Sequence, residues 1–486
     1  MSISMTIGTK DRYQLFIGGE FVAASTGESS TTTDPATGDA IAQFAAANSA
    51  DVDRAVGAAR DSLGEWQAKS PVERGRIVHR VADILRDHAD DLARIESLDQ
   101  GKPFSQARSD IDDAVRYFEY YAGAADKLEG KSVPRGAETF DMTTREPYGV
   151  SGQIVPWNFP LSITARGVAP ALVAGNTAVV KPAPTTPLSA LHFAELCREA
   201  GVPDGVVNVV TGGAEPGAAL SSHDDVDQLT FTGSVPTGEV VMKSAAETIT
   251  PVTLELGGKN PAIVMPDADL DEAAFWVATG IFTNAGQICS AADRALVHES
   301  VYDEFVDRLV DQAGSYVLGP GTDDPDMGPL NHADHFETVL DYVETGVAEG
   351  ATLETGGEPL DRDGYFLPPT VFTDVDPEMQ IAQEEIFGPV LSVIPFSDRE
   401  EAIDIANDVE YGLTGGVFSR DIKQALGLAR DIDAGSVYVN EWFGGSIETP
   451  FGGMKKSGIG REKGTEALES YLQTKNISVN LDEKLR

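Results

Sequence analysis

The chain has 486 residues, 41% of them hydrophobic, with 49 glycines and two cysteines. That length exceeds what one hydrophobic core organises, so at least two lobes are expected, with room for a sizeable buried site. A formal charge of −42 at pH 7 repels phosphate backbones and anionic lipid surfaces, which excludes nucleic acid and membranes as partners, and two cysteines cannot make a disulfide framework.

The first ten residues lack the uninterrupted apolar stretch of a secretion signal, and the longest apolar window, 167–180, is broken by Pro170, Gly175 and Asn176, so no membrane span is expected. Both point to a cytoplasmic location. Acidic pairs such as Asp90-Asp91, Asp224-Asp225, Asp323-Asp324 and Glu400-Glu401 recur along the whole chain. Acidity spread in this way reads as a halophilic surface, solvated for high salt, where screening relieves self-repulsion.

Val52, Val56, Ala59, Leu63 and Trp66 sit at helical spacing and predict a helix over 51–67. Ser70-Pro71-Val72-Glu73 has the N-cap, N1 proline and N3 glutamate of a capping box. The stripe Ile77, Val81, Ile84, Leu85, Leu92, Ile95 then predicts one long helix, which Gly101 stops. From 148 onward, short apolar runs at 149–156, 178–181, 206–210 and 228–232 alternate with helical stretches such as 188–200. This alternation predicts an α/β fold of βαβ units on a parallel sheet, the doubly wound layout of a Rossmann-like nucleotide-binding domain. Cys197, on the helix 188–200, reads as a half-buried packing residue.

Pro156-Trp157-Asn158-Phe159-Pro160 ends the first of these strands, where open α/β sheets bind ligands. Asn158 reads either as an Asx turn before proline or as a side-chain amide donating to a developing oxyanion. Phe231-Thr232-Gly233-Ser234 follows a strand and opens a helix, a place where N–H groups and the helix dipole receive phosphate. Gly458-Ile459-Gly460 is not a dinucleotide fingerprint, because Lys463 stands where the third glycine belongs and no strand precedes it. In 251–256 the alternation puts Val252, Leu254 and Leu256 on one face and Thr253 and Glu255 on the other. Glu255 taken singly reads as a solvated strand residue, yet the adjoining Gly257-Gly258 admits a close neighbour.

A second α/β lobe follows from 258, with strands at 262–264, 295–297, 391–395, 416–418 and 437–440 and helices at 299–315, 332–349, 399–407 and 421–431. Within it Cys289 lies in the small-residue segment Asn284-Ala285-Gly286-Gln287-Ile288-Cys289-Ser290-Ala291. A lone cysteine is ordinarily an inert small hydrophobe; paired with the carboxylate of Glu255 it reads as a thiol nucleophile with its base. His332 and His335 stand three apart without an accompanying thiol or carboxylate cluster, so no metal is expected, and the histidines read as surface or helix residues.

The motifs PWNFP (156–160), KPAP (181–184), FTGS (231–234), LELGGKNP (254–261), NAGQICSA (284–291), EEIFGP (384–389) and PFGGMKKSGIGRE (450–462) together resemble the aldehyde dehydrogenase superfamily, over about Phe16 to Asn480. The resemblance implies a cofactor-binding domain at 1–126 and 145–257, a catalytic domain at 258–446, and small β oligomerisation segments at 127–144 and 472–486 that join a homodimer or homotetramer. It further implies that Cys289 attacks the aldehyde carbon, that Asn158 and the Cys289 N–H hold the oxyanion, and that Glu255 activates the water that hydrolyses the thioester. Lys181 and Glu385 would bind the two riboses of NAD or NADP, Phe387 would pack near the nicotinamide ribose with Trp157 close by, Gly233 and Ser234 would face the pyrophosphate, and Glu462 would assist proton relay.

One position departs from the pattern: many NAD-preferring members carry glutamate where this chain has Pro184, so NADP is expected to be accepted. Trp442, Phe443 and Ile447, with residues near Trp157, are expected to shape an apolar or aromatic entrance for the aldehyde. Ile477, Val479 and Leu481 alternate as an edge strand does. Three other readings compete: release of the thioester to coenzyme A, a cysteine hydrolase using one of the histidines, and a non-catalytic protein on this fold. The first is disfavoured by Glu255, the second leaves the cofactor-like motifs unexplained, and the third is opposed by the presence of Cys289, Glu255 and Asn158 together.

Overall fold

The computed structural model describes residues 8–481. Two large sheets, each flanked by helices, form the two expected lobes. The first runs in the order Gly458–Ile459, Val252–Glu255, Gln228–Thr232, Val150–Ile154, Thr177–Lys181, Val207–Val209, Leu15–Ile17, Glu20–Val22. Its five central strands are parallel; Gly458–Ile459 and Leu15–Ile17 run antiparallel to them on either side, and Glu20–Val22 pairs antiparallel with Leu15–Ile17. The second runs Thr352–Thr355, Thr370–Thr373, Val390–Phe396, Arg294–His298, Pro261–Val264, Thr414–Phe418, Ser436–Val439, and all but its first strand are parallel. Among the described residues no helix is long and apolar enough to cross a membrane.

The helix at Ser49–Ala68 and the box at Ser70/Glu73 form as the sequence indicates, with the Ser70 hydroxyl and Glu73 carboxylate capping each other's main-chain N–H. The long helix expected from 71 to 100 is instead two, Pro71–Asp87 and Ala89–Gln100, broken at His88, which adopts φ −107° and ψ 14°. The apolar stripe continues across the break because both helices pack on one core, so hydrophobic spacing alone did not reveal the joint. Gly101, at φ 100°, ends the second helix as a left-handed cap.

Gly458-Ile459, set aside because no strand precedes it, is itself a strand. It pairs antiparallel with the Glu255 strand, Glu255 opposite Gly458 and Leu254 opposite Ile459. Gly458 sits at φ +148°, and a Cβ there would lie 2.0 Å from the Leu254 oxygen. The segment after 446 thereby returns to the first sheet and covers Val252–Glu255, which would otherwise be its edge.

A smaller sheet stands apart, with Thr139–Pro147 between Ser132–Pro134 and Leu472–Asn480. The long pair keeps register over nine residues, from Pro147 opposite Leu472 to Thr139 opposite Asn480. Its central strand runs to 147, beyond the 144 boundary expected from the sequence. Val133, Phe140 and Val479 are exposed on it, and the Leu481 N–H donates to the Glu138 oxygen just past the strand. Residues 482–486 of the expected segment lie outside the described residues.

Candidate active site

Cys289 follows a short 3-10 turn, Thr283–Gly286, in which Asn284 (φ 50°, ψ 33°), Ala285 (φ 53°, ψ 36°) and Gly286 (φ 73°) are all left-handed. Such a run is costly for non-glycine residues and persists only where its surroundings enforce it. Here Gln106 Oε1 accepts the Asn284 N–H at 3.0 Å, the Asn284 side-chain amide donates to the Asn158 main-chain oxygen at 3.2 Å, and Gln287 Nε2 donates to the Asn284 oxygen at 2.9 Å. At Gly286 a Cβ would lie 2.0 Å from the Gly388 oxygen.

The half-buried Cys289 thiol lines two cavities, one of about 450 Å³ and one of about 300 Å³. Burial pushes its pKa up to about 12, opposed first by the Arg166 guanidinium. The thiol is therefore protonated at rest and must hand its proton on before it can attack. Among the described residues no hydrogen bond takes up the Cys289 main-chain N–H. The close approach that Gly257-Gly258 implied is present, since Cβ atoms there would lie 2.0 Å from Glu385 Oε2 and 2.5 Å from the Cys289 oxygen.

Glu255 is not solvated. It is 2% exposed, with the returning segment against its carboxylate, where a Cβ at Gly452 would lie 2.7 Å from Glu255 Oε1, and neither carboxylate oxygen has a hydrogen-bond partner among the described residues. Burial, reinforced by the charge of nearby Glu462, raises its pKa well above the ordinary carboxylate value. A carboxyl raised in this way is a stronger base than a surface carboxylate, and lining the smaller cavity with Cys289 it is placed for general-base work. Glu462, also buried, forms an ion pair with Arg166.

Asn158, 4% exposed, directs its side-chain amide away from its own turn and donates to the Gln287 oxygen at 2.9 Å. The Asx-turn reading therefore fails. One N–H of an amide with two remains for a ligand beside Cys289.

The smaller cavity brings together Trp157, Gly233, Ser234, Glu255, Glu385 and Phe387. Ser234 is the N-cap of the helix Val235–Thr248, whose first N–H groups take no side-chain cap. Glu385 accepts the Gly258 N–H at 3.0 Å, and burial pushes its pKa up to about 8. Lys181 lies outside this cavity wall. At the end of its strand it donates to the Pro182 oxygen at 3.0 Å, and burial pushes its pKa down to about 8. Pro184, half-buried, forms the turn just beyond.

The sequence offered no motif for His335, Thr338 and Tyr342, which line the same cavity from the helix Ala333–Glu349. His335 is no plain surface residue. Its Nε2 donates to the Phe387 oxygen at 2.8 Å, its ring lies 5.2 Å from that of Trp157, and burial pushes its pKa down to about 4, so it is neutral. Its contact holds Phe387, which has φ 59°. Likewise Cys197 is 1% exposed, fully rather than half buried, because its helix packs between sheet and helices.

The larger cavity is lined by Tyr117, Phe159, Tyr438, Phe443, Ile447 and Phe451, and also by Asp110, Arg166 and Lys463. The expected apolar or aromatic entrance thus carries charges, and Trp442 is not part of it. That indole is 1% exposed and donates to the Ser290 oxygen at 2.9 Å, packing on Gly280 and Gly416 behind the nucleophile loop. Among the described residues no group of three potential metal ligands occurs.

A thiol on a wall common to a ligand cavity at strand ends and a second cavity beside it is the arrangement an enzyme with a cysteine nucleophile needs. The aldehyde dehydrogenase family model matches residues 21–477. An aldehyde dehydrogenase of Emericella nidulans is 44% identical over 475 residues, covering 97% of this chain and 96% of that one. The structure of an aldehyde dehydrogenase from Bacillus cereus in complex with NAD+ superposes with a TM-score of 0.96 at 45% identity, covering 97% of each chain. A betaine aldehyde dehydrogenase from Staphylococcus aureus in complex with NAD+ gives 0.95 at 40% identity, covering 97% of this chain and 95% of that one. The chain belongs to the aldehyde dehydrogenase family and is an enzyme that oxidises aldehydes.

Proposed function

We propose that the protein oxidises an aldehyde to its carboxylic acid with NAD or NADP as oxidant, through a covalent intermediate on Cys289. The observation that carries this reading is the placement of the Cys289 thiol on a wall common to both cavities, with Glu255 facing the smaller one. The residues around that cavity suit a dinucleotide: uncapped N–H groups at Ser234 receive a pyrophosphate, and the buried Glu385 carboxylate, with Phe387 and Trp157 beside it, suits a ribose and a ring. Lys181 would hold the second ribose at the neighbouring strand end. When bound, the nicotinamide accepts the hydride that leaves the substrate carbon.

The chain's own residues supply the rest. The Cys289 thiol passes its proton to water in the cavity, its sulfur bonds to the aldehyde carbon, and the resulting oxyanion is met by Asn158 Nδ2 and the Cys289 N–H. Donors fixed in advance at such a site are worth about 10²- to 10³-fold in rate. Loss of hydride leaves a thioester. Glu255 then takes a proton from water, the hydroxide adds to the thioester carbonyl, and the thiolate departs as the acid forms. Glu462, held by Arg166, accepts the charge shift at Glu255 and assists the proton's exit. Turnover of an aldehyde panel with each nicotinamide and without coenzyme A tests the reading; a strict requirement for coenzyme A would replace hydrolysis by acyl transfer.

Pro184 offers neither a carboxylate to bind a ribose 2′-hydroxyl nor a charge to repel a 2′-phosphate. We expect NADP to be accepted, with a kcat/KM for NAD less than about tenfold above that for NADP, roughly 1.4 kcal/mol of discrimination. A larger preference for NAD overturns this.

We further propose the domain division at 1–126 with 145–257 and at 258–446, a cytoplasmic location, and a halophilic homodimer or homotetramer. Support for assembly comes from the position of Leu472–Asn480 at the edge of its sheet, a hazard in a monomer. In a salt titration followed by light scattering, a dimer or larger species is expected at high salt, with dissociation or unfolding once the charge of −42 is unscreened. A monomer in high salt contradicts the assembly; an unchanged fold at low ionic strength contradicts the halophilic reading.

A further inference from the structure

The turn carrying Asn158 is gripped from beneath by buried charges that no step above uses. Lys102, in the loop after Gly101, has a side-chain exposure of 0%. Its ammonium donates to the Asn158 main-chain oxygen at 2.7 Å and to Asp110 Oδ2 at 2.5 Å, and stands 4.0 Å from the centre of the Phe159 ring. From the preceding helix Ala89–Gln100, Glu96 Oε1 accepts the Leu161 N–H at 2.6 Å and the Ser189 hydroxyl at 2.8 Å. Leu161 lies in the first turn of Pro160–Ala174, a helix with no side-chain cap of its own, so Glu96 satisfies one of the N–H groups that a helix start leaves open. A cation and a carboxylate from one neighbouring segment thus hold the two ends of the turn 158–161.

This grip bears on chemistry because an oxyanion donor is effective only when its direction is fixed before charge develops. The direction of the Asn158 side chain follows its backbone, and the Asn158 main-chain oxygen is the shared acceptor of Lys102 from one side and Asn284 from the nucleophile loop on the other. An enclosed ammonium needs a counter-charge, which Asp110 supplies from the wall of the larger cavity.

We propose that Lys102 is a positioning residue for aldehyde oxidation: it pins the backbone at Asn158 so that the amide stands ready for the oxyanion, with Asp110 as its buried counter-ion. The proposal rests on the reading of Asn158 as oxyanion donor. The test uses an Asp110→Asn background, so that removing Lys102 does not strip the Asp110 carboxylate of its counter-charge. Into it are placed Lys102→Met, Asn158→Ala and both together, and the pre-steady-state burst of nicotinamide reduction is followed. Lys102→Met is expected to slow the burst by about 10²-fold, the scale of a small misplacement of a reacting group, with the dinucleotide KM unchanged. Adding Asn158→Ala should cost little more, because both changes remove one function.

Losses that multiply, or a folded Lys102→Met variant with an unaltered burst, overturn the proposal. Should Lys102→Met not fold, Lys102→Arg keeps a cation but replaces its compact donor by a planar fork; a slowed burst at unchanged dinucleotide KM is again expected, and an unaltered burst again overturns it. An Asn158→Ala enzyme with normal burst rate would instead defeat the oxyanion assignment itself, whatever Lys102 does.

Discussion

Cys289→Ala is expected to lower aldehyde-dependent nicotinamide reduction by at least about 10⁴-fold, since removal of a covalent nucleophile eliminates the route rather than slowing it. Dinucleotide affinity should persist, because Glu385, Phe387 and the helix start at Ser234 are untouched. Mass spectrometry of the acid-quenched wild-type reaction should find an acyl group on the peptide containing Cys289 and none in the variant. Appreciable turnover by the alanine enzyme, or an acyl group located elsewhere, removes the foundation of the mechanism. Cys197, fully buried and lining neither cavity, cannot substitute.

Glu255→Gln separates the two halves of the cycle. The first turnover should give a normal burst of reduced nicotinamide, after which the steady state falls by about 10²- to 10⁴-fold as the thioester waits for an unactivated water. In the wild type, burial and Glu462 raise the Glu255 pKa, so protonation removes the base below that value. Thioester hydrolysis should accordingly climb as pH rises through the raised pKa and level off above it. The glutamine enzyme should lose that limb. A pH profile unchanged by the substitution, or a burst lost together with the steady state, would assign the base elsewhere.

Much of this was readable in the chain because its signals are local. The strand at 228–232 appears with the boundaries its apolar run indicates, and the helices at 188–199 and 399–407 fall within a residue of expectation. The break at His88 was hidden because two helices on one core share one stripe. Strands as short as Gly458–Ile459 carry no period to detect, and so the cover over Glu255, which decides whether it is a surface carboxylate or a base, could not be read from 251–256 alone. His335 and Lys102 were missed for a related reason: each acts through a contact with a residue distant in the chain, Phe387 in one case and Asn158 in the other. Trp442 was misplaced because an aromatic beside a glycine-rich run looks alike whether it faces a cavity or backs a loop.

The two-residue strand over Glu255 ties the acidity of the base to the order of synthesis. The central strands of the first sheet all precede the nucleophile loop in the chain, but without residues 450–462 Val252–Glu255 would be the sheet's edge and Glu255 would lack the neighbouring Glu462. Only after residues 450–462 emerge does it acquire the enclosure that turns it into a proton acceptor. A polypeptide ended before that point would carry the reactive sulfur without the enclosed carboxyl, and an acyl group formed on it would wait for unassisted water.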